Sequence, residues 1–191
     1  MTRMTKGAAL IYHIPKAICN KHCSLILNEI EKLSSENWEN FQESYHKDEG
    51  NRTAEAEELL NFPMIKKQAD EQVLEYCTRM NLFHEDYSFS CADAQITAPN
   101  GRLEEHFDDT LHWGSCTIEL KDFVVLVYLY NSTVDGEIVF TKQKKIIRPT
   151  FGDILIFPSG ITHPHLVNGS HKQRVSLNLK YTREHNIRRK V

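Results

Sequence analysis

The sequence predicts an α+β chain that is mainly β, with helices packed on an antiparallel sheet sandwich or barrel. Two observations predict this. Helical apolar spacing is confined to residues 16–33 and 65–80, whereas short β-rich segments separated by turn signals follow one another from Tyr87 onward. One of those segments, residues 123–130, is a continuous apolar run, the pattern of a strand buried on both faces. A chain of 191 residues with 40% hydrophobic content suits one domain with a sizeable core. The expected organisation is an opening strand with supporting helices over 8–86, a β core over 87–182 and a basic tail over 183–191.

Taken in order, residues 8–14 form a short apolar run ended by Pro15, which reads as a strand. Residues 16–33 place apolar side chains at 18, 19, 23, 26, 27, 30 and 33, the spacing of one helix face. Residues 34–62 are polar, charged and poor in β-branched residues. They read as a long surface excursion, with a short helix near 54–60. Residues 65–80 put Ile65, Ala69, Val73, Tyr76 and Met80 on one side of a second helix. In the β-rich half, Asn100-Gly101 and Asp135-Gly136 carry hairpin-turn chemistry. Strands are expected over 123–130, 136–140, 145–148, 153–157 and 173–181.

Composition narrows the function classes. A formal charge of −3 gives no global pull toward nucleic acid or membrane. The cluster His185, Arg188, Arg189 and Lys190 reads as a solvated tail. The five cysteines, at 19, 23, 77, 91 and 116, contain no CxxC pair, so a structural zinc site is not expected. Cys19 and Cys23 are four apart in a helical pattern and are expected to share a face. Reduced thiols, a polar N-terminus without a signal-peptide core, and no apolar stretch near 18 residues together suggest a cytoplasmic chain that does not span a membrane. The Asn51-Arg52-Thr53 glycosylation pattern then carries no weight.

The chemistry-bearing residues lie in the second half. His106-Phe107-Asp108 follows the Asn100-Gly101 turn on an expected strand. Side chains at i and i+2 of a strand share a face, so an imidazole and a carboxylate converge there with Phe107 turned away. A distant histidine would complete two histidines and a carboxylate on one face of a metal, leaving positions open. The tripeptide alone is weak: ten histidines and nine aspartates in 191 residues give about half a match by chance, and His84-Glu85-Asp86 is a second one. On the tripeptide alone, an ordinary solvated strand face, rich in Glu104, Glu105 and Asp109, is the better reading. Downstream, Gly152-Asp153 turns into an apolar strand, after which come His163 and His165. Strand alternation puts both histidines on one face and does not separate them. Arg174 then interrupts an alternating apolar strand of Val175, Leu177 and Leu179. A buried arginine is costly unless it meets a carboxylate, which its planar fork takes in bidentate fashion. A protein carboxylate or a ligand carboxylate satisfies that need alike.

From Ala94 to Tyr181 the chain resembles the catalytic domain of Fe(II)- and 2-oxoglutarate-dependent oxygenases of the prolyl 4-hydroxylase-like branch. The pieces are Gly101-x-Leu103-x-x-His106-x-Asp108, Tyr128-Leu129, Gly136-Glu137-x-x-Phe140, Gly152-Asp153-x-Leu155-x-Phe157, His165-x-Val167 and Arg174. Three places depart from the pattern, the first being Tyr130, where the family often has Asn after Tyr-Leu. Asp135-Gly136-Glu137-Ile138 stands where the family has Gly-Gly-Glu-Thr, and Asn168-Gly169-Ser170-His171 intervenes before the basic residue. The resemblance implies a double-stranded β-helix (jelly-roll) core. It implies Fe(II) held by His106, Asp108 and His165, with His163 as the alternative distal ligand. Arg174 would hold the far carboxylate of 2-oxoglutarate, helped by Tyr128, Tyr130, Ser176 and Asn178. O2 would be cosubstrate, with ascorbate supportive. The implied reaction is hydroxylation of an unactivated C–H, favoured as a prolyl residue of a peptide or protein, releasing succinate and CO2. Alternatives are a free amino acid or other small metabolite as substrate, and a catalytically silent jelly roll serving as a binding module. Nucleic acid is disfavoured because no basic-aromatic surface stands out.

Overall fold

The protein is described from a computed structural model, over residues 10–33, 39–40, 51–108, 122–130 and 135–183. The basic cluster at 185–190, Cys116, the first nine residues and most of the 34–50 stretch lie outside the described residues.

Strand β1 (Tyr12–Ile14) leads into helix α1 (Asn20–Ile30). Two short strands, β2 (Glu39–Asn40) and β3 (Asn51–Glu55), precede helix α2 (Phe62–Met80). A single 3-10 turn at His84–Asp86 delivers the chain to β4 (Tyr87–Thr97). The remaining strands are β5 (Leu103–His106), β6 (Phe123–Tyr128), β7 (Ile138–Phe140), β8 (Lys145–Ile147), β9 (Ile154–Pro158), β10 (His165–Val167) and β11 (Arg174–Arg183). They form a seven-stranded antiparallel sheet in the order β1-β9-β6-β11-β4-β3-β2, facing a four-stranded sheet in the order β5-β10-β7-β8. Two facing antiparallel sheets with helices on one outer side is the expected mainly-β sandwich, in double-stranded β-helix form.

Alternation explains the layers. In β6 and β9, Phe123, Val125, Val127, Ile154 and Ile156 point to the helices, whereas Val124, Leu126, Leu155 and Phe157 point to the smaller sheet. Both faces are covered, so the strands read as unbroken apolar runs. Helix α2 presents Phe62, Ile65, Ala69, Val73 and Tyr76 to the sheet, the face expected from its spacing. Each fully buried large apolar side chain there contributes roughly 1.5–3 kcal/mol. Pro63 starts the helix and Asn81, at φ 55°, ends it in the left-handed conformation. The Glu29 carboxylate of α1 accepts the backbone N–H and side-chain amide of Asn61, which ties the helices together.

Gly152-Asp153 serves the scaffold. Gly152 sits at φ +86°, and a Cβ there would lie 2.8 Å from the Ile18 carbonyl. Asp153 is 1% exposed and accepts bonds from His13 Nε2 (2.8 Å), Lys16 N (2.9 Å) and Thr150 N and Oγ1 (both 2.9 Å). Burial pushes its carboxyl up, but these donors outweigh burial and hold it below the usual range. The motif thereby locks β1 onto β9.

Four expectations are corrected. Residues 51–55 are a strand paired with β4, and no helix forms over 54–60. Asn100-Gly101 and Asp135-Gly136 have the positive φ of tight turns, but both connect different sheets and close no hairpin. The hairpin of the small sheet joins β7 to β8 instead, with Lys144 at φ 54°. Cys19 is the exposed N-cap residue of α1 while Cys23 is buried, so the two do not share a face.

Candidate metal and cosubstrate site

His106 is the last residue of β5, and β10 lays His165 directly opposite it, with ring centroids 4.4 Å apart. Asp108 lies just past the strand end, in a bend that turns Phe107 outward to 40% exposure. Asp108 Oδ1 is 3.8 Å from His106 Nε2, and Oδ2 is 3.8 Å from His165 Nε2. The three ligand atoms all lie within 4.8 Å of one another, a candidate His-Asp-His facial triad. Each ring is oriented by a backbone carbonyl: His106 Nδ1 donates to Glu104 O (2.7 Å) and His165 Nδ1 to His163 O (3.2 Å). A carbonyl can only accept, so the proton sits on Nδ1 and the lone pair on Nε2, beside the carboxylate. Burial pushes the His165 imidazolium down against the pull of Asp108, which favours the neutral ring that a metal needs. Asp108 Oδ2 is buried with no hydrogen-bond partner among the described residues. Two imidazole nitrogens turned toward an unsatisfied carboxylate oxygen fit a first-row divalent cation with nitrogen and oxygen preference.

The other end of the same cavity is cationic. Arg174, the first residue of β11, is 4% exposed. Its Nη1 donates to Asn168 O and its Nη2 to Gly101 O, both at 2.7 Å, while Nε has no partner. Among the described residues no carboxylate makes an ion pair with it. Burial lowers its proton affinity, opposed by the neighbouring phenols of Tyr130 and Tyr128. Tyr130 Oη also donates to Gly136 O at 3.2 Å. Tyr128 Oη is buried without a partner, and burial raises its phenol well above the ordinary value. Ser176 and Asn178 follow Arg174 on the same face of β11, and Asn178 Oδ1 is also unpartnered.

All the residues that the sequence singled out for this site therefore line one cavity, His163 excepted. That histidine precedes β10 in a turn closed by its own N–H to Gly160 O, so strand alternation does not apply to it. Its Nδ1 bonds Thr162 Oγ1 at 2.9 Å, and its carbonyl orients His165. His84 and Asp86 sit on the 3-10 turn away from the cavity. Sequence reasoning missed Gln95 and Thr97, which line the cavity from β4 opposite Ser176 and Arg174. It also missed the apolar wall of Leu103, Leu126, Ile138 and Val167.

No family model and no curated protein sequence matches the chain. Solved structures do. A Pseudomonas putida prolyl-4-hydroxylase superposes with TM-score 0.71 at 15% identity, over 92% of this chain and 93% of that one. A Trichoplax adhaerens prolyl hydroxylase in complex with a hypoxia inducible factor oxygen degradation domain peptide fragment gives TM-score 0.70 at 18% identity, over 96% and 88%. The non-heme alpha ketoglutarate dependent carbocyclase SnoK from nogalamycin biosynthesis gives 0.68 at 11% identity, over 94% and 84%. Over nine-tenths of its length, this chain has the fold of the prolyl 4-hydroxylases and other 2-oxoglutarate/Fe(II) oxygenases, with a candidate His-Asp-His triad in its cavity.

Proposed function

We propose that the protein is an Fe(II)- and 2-oxoglutarate-dependent dioxygenase that hydroxylates an unactivated C–H, with a prolyl residue of a peptide or protein as the favoured substrate. One observation carries the reading. Among the described residues, seven buried polar side-chain atoms lack hydrogen-bond partners, and four of them line this single cavity: Asp108 Oδ2, Tyr128 Oη, Arg174 Nε and Asn178 Oδ1. Buried polar groups are nearly always satisfied, so a cluster of orphans calls for a polar ligand. The orphans are acidic at one end and cationic at the other, which matches a metal cation and an anionic cosubstrate.

When bound, iron with 2-oxoglutarate and O2 would supply the oxidative decarboxylation to succinate and CO2, with one oxygen atom of O2 going into succinate and the other into the C–H bond. The chain does the rest. His106 Nε2, His165 Nε2 and one oxygen of Asp108 would hold the ion. Arg174 keeps N–H groups beyond those given to Asn168 and Gly101, and these receive the far carboxylate of the cosubstrate. Tyr128 Oη donates to an anionic oxygen; its raised pKa keeps that proton in place at neutral pH. Leu103, Leu126, Ile138 and Val167 exclude water. The prolyl assignment draws on the likeness to prolyl hydroxylases. The likeness to a carbocyclase supports a second reading, a small-metabolite substrate on the same scaffold.

Anaerobic titration with Fe(II) and then 2-oxoglutarate tests the class. The visible charge-transfer band of the chelate is expected to saturate at one equivalent. No band with either order of addition would leave a silent jelly roll used for binding. Succinate release with proline-containing peptides, compared with free amino acids, then separates the two substrate readings.

A further inference from the structure

Two of the places that depart from the family pattern, the Asp135 and Asn168–His171 segments, touch each other. Asp135 Oδ1 accepts from Ser170 Oγ (3.0 Å), and Oδ2 accepts from His171 N (2.9 Å) and pairs with His171 Nδ1 (2.5 Å). Gly136 N donates to Gly169 O at 3.2 Å. The β10–β11 turn held in this way is the turn whose Asn168 carbonyl accepts from Arg174 Nη1. The second carbonyl on Arg174, that of Gly101, belongs to the turn after β4. Asn100 of that turn donates its N–H to Ser170 O at 2.5 Å, and a Cβ on Gly169 would lie 3.0 Å from Asn100 O. The guanidinium is thus aimed by two turns that are packed on one another, and Asp135 is the side chain that bolts the outer one down.

We propose that Asp135 is a positioning residue: by pinning the 168–171 turn it aims Arg174 at the far carboxylate of a 2-oxo dicarboxylate. This rests on the oxygenase reading above. Glu137 also meets Asn168, through its backbone carbonyl at 2.9 Å and its side chain at 3.2 Å. The backbone half of that contact survives any substitution. The grip of Asp135 is made by its side chain alone, so substitution removes it. The two bonds from His171 hold the Asp135 carboxyl down to about 2, so it is ionised wherever the protein is folded and working. Its charge also reaches Arg174 and opposes the loss of proton affinity that burial causes.

Two cosubstrate probes test this on the whole chain loaded anaerobically with Fe(II). 2-Oxoglutarate carries the far carboxylate. 2-Oxovalerate chelates through the same keto-acid group but ends in a methyl and has nothing for Arg174 to hold. Asp135→Ala is expected to weaken 2-oxoglutarate on the order of tenfold, the low end of what supporting partners of ligand groups cost. Fe(II) and 2-oxovalerate affinities should stay as in the parent. Asp135→Asn, which keeps an acceptor for Ser170 or His171, should recover part of the loss. Equal weakening of both probes would make Asp135 a general structural residue and overturn the proposal, as would unchanged affinity for 2-oxoglutarate. Arg174→Ala, run alongside, tells the two levels apart. If it too leaves 2-oxoglutarate affinity intact, the oxygenase reading itself fails; if it alone loses affinity, only the role of Asp135 does.

Discussion

Strand β11 has two faces that obey different rules. On the outer face Val175, Leu177, Leu179 and Tyr181 join the helices in one closed apolar cluster. On the inner face Arg174, Ser176 and Asn178 stand in a cavity, with a guanidinium nitrogen and an amide oxygen left unpaired. The outer face is what stabilises the fold. The inner face costs stability, since each buried unsatisfied polar group is worth about 1–3 kcal/mol against folding. A two-residue period thus separates residues of the core from residues that line the cavity, within ten positions of sequence. The difference predicts that substitutions on the inner face change binding without weakening the fold, and that those on the outer face do the reverse.

The largest expected effect tests the triad. His165→Ala should reduce Mn(II) or Fe(II) affinity by more than about a hundredfold, beyond the range seen for supporting partners. His163→Ala should leave metal binding within a few-fold of the parent, because its ring bonds Thr162 and its backbone carbonyl, which survives the substitution, orients His165. Thermal shift with added Mn(II) reads both, since a ligand that binds only the native state raises its melting temperature. Metal binding lost in His163→Ala and kept in His165→Ala would reverse the assignment.

Arg174→Ala comes next. Removing a charge-assisted bidentate contact while the other charge stays buried costs roughly 2–5 kcal/mol, on the order of 30-fold to several-thousand-fold in 2-oxoglutarate affinity. Arg174→Lys should fall between, because the charge survives and the fork does not. Metal affinity should not move. Unfolding stability of Arg174→Met should stay within about 1–3 kcal/mol of the parent, since relief of the buried charge offsets the Asn168 and Gly101 carbonyls left without their donor. A strongly destabilised Arg174→Met would mean that the arginine is structural.

Leu177→Ala sharpens the comparison from the other face. It deletes a fully buried side chain from the helix-facing cluster and should cost about 3 kcal/mol of unfolding free energy. 2-Oxoglutarate affinity of the protein that stays folded should be unaltered, although Leu177 lies between Ser176 and Asn178. A parallel loss of affinity would show that the two faces are mechanically coupled.

How much of this was legible follows the same division. Periodicity located the apolar face of α2, the doubly buried β6 and the odd arginine on β11, because each is set by local spacing. His106 and Asp108 were legible as a pair, yet β5 ends at His106, and a bend rather than strand alternation brings Asp108 in. Non-local pairing was not legible. Asn-Arg-Thr-Ala-Glu at 51–55 has only Thr53 to favour a strand and is extended because it hydrogen-bonds to β4. Asn100 and Gly136 carry the positive φ that their turn chemistry announced, but which strands flank a turn says nothing of which strands pair across it. Gln95 and Thr97 were within reach: β4 alternates in step with β11, and aligning the two would have placed them on the cavity.

The smallest effect expected is also the cleanest separation of the two rules. Tyr128 lies at the end of β6, paired with Ser176 across the sheet, and its ring belongs to the apolar cluster under the smaller sheet. Its hydroxyl makes no hydrogen bond among the described residues. One side chain therefore obeys the core rule with its ring and the ligand rule with its oxygen. Tyr128→Phe keeps the ring and deletes the oxygen. Removing an unsatisfied buried hydroxyl forfeits no folded-state bond, so unfolding stability should stay level or rise slightly. If that hydroxyl donates to bound 2-oxoglutarate, its loss should cost about 1 kcal/mol, roughly a fivefold drop in affinity. Metal affinity measured before cosubstrate is added should not change, since Tyr128 is no part of the triad. Chemical denaturation and anaerobic titration of the same preparation give both numbers. A drop in stability with unchanged affinity would return Tyr128 to the core entirely and remove it from the groups that hold the cosubstrate.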